Sequence, residues 1–136
     1  MKELVVPAKI ENLDTVIDFV NAELELNNCD MKAQMQIAIA VEEIYVNIAH
    51  YAYHPEDGDA TIRCAVGGQP LKVTIMFLDG GKPYNPLEKK DPDITLGAEE
   101  RDIGGLGIFM VKESMDSVEY EYKDNTNILT IKKLLD

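Results

Sequence analysis

Two neighbouring segments whose apolar residues alternate with polar ones constrain the fold of this chain most. Ala60–Val66 (ATIRCAV) alternates throughout, and Leu71–Leu78 (LKVTIMFL) alternates at first and is apolar throughout its second half. The residues between them, Gly-Gly-Gln-Pro, are a turn signal. Two strand-like segments separated by so short a turn predict an antiparallel hairpin. Because parallel strands need a long crossover connection, this pattern argues against a doubly wound parallel sheet.

The remaining periodic segments predict three helices and three further strands around this hairpin. The first three are a strand Glu3–Pro7, a helix from Leu13 to Leu24 with Asn12 as N-cap, and a second helix from Asp30 to about Tyr53. After the hairpin, a Gly- and Pro-rich loop is expected from Asp79 to about Arg101. A short helix from about Leu106 to Met115 and strands Val118–Tyr122 and Ile128–Leu134 complete the order. This order predicts an α+β fold, a two-layer α/β sandwich whose mixed, mainly antiparallel sheet is covered on one face by helices. A chain of 136 residues fits one domain, residues 1–136.

Charge and hydropathy exclude several classes of partner. The formal net charge is −12, which repels nucleic acid and anionic lipid, so neither is expected as a main partner. The chain has neither a long unbroken apolar run nor a basic start followed by an apolar stretch, so we expect neither a membrane span nor a secretory signal. The expected location is the cytoplasm, where Cys29 and Cys64 would stay reduced.

The second predicted helix carries polar side chains beside its apolar stripe. Glu43 and Asn47 are four residues apart, so they lie one above the other, and His50 follows one turn later. This side of the helix is about 100° around from the apolar stripe, at the edge of the core, where a cleft could lie. Taken alone, a Glu-Asn pair is more often part of a solvated face. His50 and His54 have a spacing that can suit a metal, but surface or capping roles are favoured because His54 precedes a proline.

Two glycine-containing segments are further candidates for ligand contact. Asp79 follows an apolar strand directly and precedes two glycines, where a ligand can approach the backbone, although Asp-Gly alone favours a plain turn. Gly104, Gly105 and Gly107 lead into an amphipathic helix, and the free N–H groups of a helix start attract phosphate. A glycine hinge between a loop and a helix is compatible with that interpretation.

The order of these motifs resembles the GHKL (histidine-kinase-like) ATPase superfamily. The shared order is a helix with E-x-x-x-N, a strand followed by D-x-G, a long loop, and G-x-G entering a helix, and it covers nearly the whole chain. EEIYVNIAHYAY, LDGGKPYNP and GGLGIFMVKESMDSVEYEY are most similar to the stand-alone anti-sigma factor serine/threonine protein kinases of bacteria. The resemblance implies ATP and Mg²⁺ as cofactors.

The resemblance also implies roles for particular residues. Glu43 would be the general base, and Asn47 would coordinate Mg²⁺ through its amide oxygen. Asp79 would accept a hydrogen bond from the adenine amino group, and Gly81 would let the ring lie against the backbone.

Further implied residues belong to the lid and the adenine side. Gly105 and Gly107 would let a mobile lid, Asn85–Arg101, close with the helix start on the phosphates, and bound ATP would protect this lid from proteolysis. Relatives often have a basic residue next to the glycine box, and here Arg101 is the nearest one to reach the phosphates. Relatives often begin the last strand with Gly-Thr, which makes Thr126 the candidate for an adenine-side contact.

Three functions from different classes follow from this resemblance. The first is an ATP-dependent serine/threonine kinase that phosphorylates a small STAS-type antagonist protein and switches partners with a sigma factor. The second is a nucleotide-gated module that sequesters a partner without efficient phosphotransfer, and the third is an ATP-hydrolysing switch subunit. A homodimer is possible in each case. A complete sensor histidine kinase is not expected, because the first helix carries no histidine.

Overall fold

A computed structural model describes residues 1–53, 56–88 and 105–135 of the chain. They form β1 (Lys2–Pro7), α1 (Leu13–Leu26), α2 (Met31–Tyr51), β2 (Asp59–Gly67), β3 (Lys72–Asp79), α3 (Gly105–Ser114), β4 (Ser117–Lys123) and β5 (Thr126–Leu134). Short 3₁₀ turns lie at Ile10–Asn12 and Pro86–Glu88.

The strands form one five-stranded sheet in the order β1-β2-β3-β5-β4. Each of the described pairings is antiparallel, which confirms the hairpin between β2 and β3 and the mainly antiparallel sheet. The last strand lies between β3 and β4, with Asp79 paired to Asn127. This non-local pairing brings the end of β3 next to the start of β5.

Alternation along the strands buries one face of the sheet beneath the helices. Ile62 in β2 and Ile75 in β3 are fully buried, and α2 lies between α1 and α3 with Ile37, Val41 and Ile44 in the same core. Burying each such side chain stabilises the fold by about 1.5–3 kcal/mol. The expected two-layer α+β architecture is therefore confirmed.

Helix α2 begins where its N-cap predicts. The Asp30 carboxylate accepts a hydrogen bond from the backbone N–H of Ala33 at 2.8 Å, and the helix ends at Tyr51, two residues before the expected end. Asn12 precedes α1 as expected, but its side chain donates to the carbonyl of Pro7 at 2.8 Å instead of capping the helix. The Asp30 carboxylate thus caps its helix, whereas the Asn12 amide binds a carbonyl outside its helix.

Most of the predicted lid, including Arg101, lies outside the described residues. Residues 85–88 are described, and Pro86–Glu88 form one of the 3₁₀ turns. Throughout the described ranges, no helix combines the length and the apolar character that crossing a membrane requires.

Candidate functional site

A cleft of about 750 Å³ opens between the C-terminal half of α2 and the adjoining ends of β3 and β5. Its apolar walls include Ile44, Ile48, Phe77, Ile108 and Leu129, and its polar walls include Asn47, Asp79, Tyr84, Tyr120 and Asn127. This volume and this mixture of many apolar and few polar groups are typical of small-molecule sites. Two of the residues predicted to bind a ligand, Asn47 and Asp79, therefore lie in one cleft.

The carboxylate of Asp79 is held on one side only. Its Oδ1 accepts hydrogen bonds from the backbone N–H of Gly81 and from the side-chain amide of Asn127, both at 3.0 Å. Within residues 1–53, 56–88 and 105–135, no group donates to its Oδ2. Asp79 is 8% exposed and lines the cleft, so Oδ2 is the acceptor that a bound ligand can use.

Asn127 connects this carboxylate to the next wall of the cleft. Its amide nitrogen also donates to the carbonyl of Lys82 at 2.9 Å, and its oxygen accepts from the backbone N–H of Tyr84 at 3.1 Å and from the Tyr120 hydroxyl. Asn127 is 6% exposed, so each of these bonds replaces a contact with water. Asn127 is not among the residues predicted from the sequence, although Asn127, Leu129 and Ile131 alternate on the core-facing side of β5.

Burial raises the pKa of the Asp79 carboxyl above its ordinary value of 3.8. The hydrogen bonds from Asn127 and Gly81 oppose this effect, because they stabilise the charged form. A desolvated carboxylate with donors on only one oxygen is stabilised strongly by a ligand group that donates a hydrogen bond to the other oxygen.

Gly81 lets the segment after β3 approach the end of α2. A Cβ at this position would overlap the carbonyl of Ala52, and the neighbouring Lys82 N–H donates to that carbonyl at 3.2 Å. Beside it, the Tyr53 hydroxyl accepts from the Gly80 N–H at 2.7 Å and donates to the Asp59 carbonyl at 2.6 Å. Backbone packing thus requires glycine at position 81, a role different from the one predicted from the sequence.

Asn47 and Glu43 occupy different places on α2. Asn47 lines the cleft, whereas the Glu43 carboxylate, one turn away, lies against Gly107 of α3, where a Cβ would overlap it. In the described ranges, no group of three His, Cys, Asp or Glu side chains could hold a metal ion. A single amide oxygen fits Mg²⁺ held mainly by water and by the phosphates of a nucleotide, because this ion keeps several waters.

Of three further predicted residues, two are described and one lies outside the described residues. Gly105 is the first residue of α3, and Arg101 is outside the described residues. Thr126 begins β5, but its hydroxyl donates to the carbonyl of Asp124 at 3.2 Å in the turn before that strand. Its neighbour Asn127 is the residue that lines the cleft.

A family model described as the histidine kinase-like ATPase domain matches residues 6–133 of the chain. The chain therefore belongs to this family. A crystal structure of the RsbU and RsbW domains of a Mycobacterium tuberculosis protein has the same fold, with a TM-score of 0.66 and 15% identity, over 99% of this chain and 33% of that one.

Curated relatives include protein kinases of bacteria. Serine-protein kinase RsbW of Listeria monocytogenes is 29% identical over 101 residues, which are 71% of this chain and 63% of that protein. Serine/threonine-protein kinase BtrW of Bordetella bronchiseptica is 22% identical over 100 residues, 74% of this chain and 70% of that protein. The match thus spans somewhat less than two thirds of the Listeria relative.

Proposed function

We propose that this protein is an ATP-dependent serine kinase of the anti-sigma type. The observation that carries the proposal is the Asp79 carboxylate, with one oxygen held by Asn127 and Gly81 and the other open to a cleft that Asn47 also lines. Membership of the histidine kinase-like ATPase family and relatives named serine-protein kinases support it.

In this proposal the cleft selects adenine. The exocyclic amine of the base donates to Oδ2 of Asp79, and the apolar walls, including Phe77 and Leu129, cover the ring. A guanine base in the same orientation carries a carbonyl in place of that amine. It would set an acceptor against the carboxylate, so we expect it to bind more weakly than adenine.

The proposed transfer step uses Asn47 and Glu43 of α2. With the γ-phosphate near the start of α3, Glu43 takes the proton of the incoming serine hydroxyl. The serine oxygen then forms a bond to the γ-phosphorus as the bond from phosphorus to the bridging oxygen breaks, and ADP leaves with that oxygen. Asn47 would hold Mg²⁺, which supplies charge neutralisation on the phosphate oxygens when bound.

The proposed protein partners are a small STAS-type antagonist that carries the acceptor serine and, alternatively, a sigma factor. We place this exchange in the cytoplasm, with a homodimer as a possible assembly. Gly105, Gly107 and Arg101 are proposed on the phosphate side. On the adenine side we propose Thr126 together with its neighbour Asn127, whose side chain lines the cleft.

One observation favours a second function, a nucleotide-gated module that sequesters its partner. The Glu43 carboxylate contacts Gly107 and is not among the residues that line the cleft. If Glu43 stays there with ATP bound, the site can bind nucleotide without an efficient base.

The test is a transfer assay with radiolabelled γ-phosphate of Mg-ATP and the STAS-domain protein encoded nearest to this gene. The kinase proposal expects label on a serine of that protein. Binding of the STAS protein without any label, under saturating Mg-ATP, would favour the sequestering module. Absence of ATP binding by calorimetry would overturn both.

A further inference from the structure

The first half of α2 exposes a stripe of large apolar side chains. Met31, Met35 and Ile39 are 77%, 61% and 47% exposed. They are four residues apart, so they lie on one side of the helix, one turn above another. The opposite side of the same turns is buried in the core through Ala33 and Ile37.

This half of α2 is therefore apolar on two sides. A surface helix normally turns polar residues outward, and a helix that is apolar all round is normally covered all round. Between Met31 and Val41 the only charged residue is Lys32. Nothing in the described ranges covers the outer stripe, whereas the inner one packs on the sheet.

Carboxylates surround this stripe. Asp30 immediately precedes Met31, and Glu42 lies on the stripe side one turn beyond Ile39, and both are exposed. The carboxylate of Glu25 accepts a hydrogen bond from Gln34 at 3.3 Å on the edge of the stripe. An apolar stripe with acidic ends fits a partner that combines apolar and basic groups.

We propose that the outer side of α2, from Met31 to Glu42, is a docking surface for an amphipathic helix of a partner protein with Lys or Arg along its edges. Methionines suit this contact because their flexible side chains adapt to the shape of an incoming helix. A second copy of this chain is a poorer occupant. An antiparallel self-pairing would place Asp30 against Glu42 of the other copy, and each chain carries a net charge of −12. This surface does not depend on nucleotide binding.

The test uses the full chain and a labelled helical peptide of about 18 residues, or five turns, with a leucine stripe and lysine edges. A second peptide has glutamate in place of each lysine. The protein variants are a double substitution, Met31→Gln with Met35→Gln, and a control, Val5→Thr, on the 54% exposed Val5 of β1. Glutamine is a good helix former, so the melting temperature of the double variant should match that of wild type.

We expect the basic peptide to bind wild type and the control equally, and to bind the double variant at least about tenfold more weakly, because two buried methionine contacts are lost. Amide shifts in NMR spectra should concentrate between residues 31 and 42, and the acidic peptide should not bind. If the basic peptide binds wild type and the double variant with equal affinity, charge attraction alone accounts for its binding, and the proposal is overturned. Dimerisation of wild type that the double variant abolishes would also overturn it, in favour of a second copy.

Discussion

Asp79 carries the buried carboxylate that we propose as the acceptor for the adenine amine. Asp79→Asn keeps the shape of the side chain but can turn an amide donor toward the adenine amine. A buried donor without an acceptor costs about 1–3 kcal/mol, so ATP affinity should fall roughly tenfold or more in calorimetry. The substitution also removes a buried charge, so the melting temperature should be kept or raised. Unchanged ATP affinity in this variant would remove Asp79 from the adenine contact.

The same carboxylate should make ATP binding depend on pH. Because burial raises its pKa, the charged acceptor is lost as the pH falls through a value above 3.8, and affinity should fall with it. Asn127→Ala removes a hydrogen bond that lowers this pKa, so its midpoint should lie at higher pH than that of wild type. The effect of Asp79 on folding stability without ligand has the opposite pH dependence. Because the folded pKa is raised, Asp79 stabilises the fold most below its unfolded pKa. This stabilisation is lost as the pH rises through the folded pKa.

The measurement is ATP affinity from acidic to neutral pH, expressed relative to Asp79→Asn so that protonation of ATP itself cancels. Tyr120→Phe is the matched control, since it removes the hydroxyl that Asn127 accepts from but leaves the Asn127 amide on Asp79. Its midpoint should stay at the wild-type value. A midpoint in Asn127→Ala equal to that of wild type would show that Asn127 does not set the charge of Asp79.

At the scale of elements, local signals predicted most of the fold. The N-cap Asp30, the hairpin turn and the alternation in β2 and β3 each act within a few residues, and each predicted element is present within one or two residues of its expected ends. The strand order was not predictable in this way, because the pairing of β3 with β5 joins residues that are far apart in the chain.

The register of that pairing also explains why Asn127 is a cleft residue, although Thr126 was the one predicted from the sequence. Thr126 and Asn127 are neighbours in β5, and their side chains point to opposite faces because strands have a period of two. Asp79 pairs with Asn127, so Asn127 and not Thr126 reaches the Asp79 carboxylate. The need for glycine at 81 has a similar origin, because the clash with Ala52 arises only when the segment after β3 meets the end of α2.

Gly81→Ala tests this approach of two elements. The new methyl group would overlap the Ala52 carbonyl, so we expect a loss of about 1–3 kcal/mol in the free energy of unfolding, as for overpacked cores. Gly67→Ala at the end of β2 is the control, because its methyl group would enter open space, and its effect should be within about 0.5 kcal/mol. Urea unfolding measures both. Equal midpoints for the two variants would contradict the close packing at Ala52.

At the scale of the whole molecule, the negative net charge of the chain disfavours the anionic ligand that we propose for the cleft. A net charge of −12 repels a nucleotide, so binding needs local attraction. Lys82 lines the cleft, and the start of α3 at Gly105 has free N–H groups that favour an anion. If nucleotide binds as proposed, we therefore expect binding to depend on Mg²⁺. The two polar residues of α2 should have separable effects.

Glu43→Ala and Asn47→Ala separate binding from transfer. Glu43 lies off the core stripe of α2, so Glu43→Ala should keep the fold and Mg-ATP affinity while transfer to a STAS-domain serine falls by about 10²–10⁴-fold, the usual range for a general base. Asn47→Ala should instead weaken Mg-nucleotide binding itself, because it removes the proposed metal ligand. Calorimetry and the transfer assay, run on both variants with the same partner, measure the two effects. If Glu43→Ala transfers phosphate as well as wild type, the kinase stands and its proposed base does not.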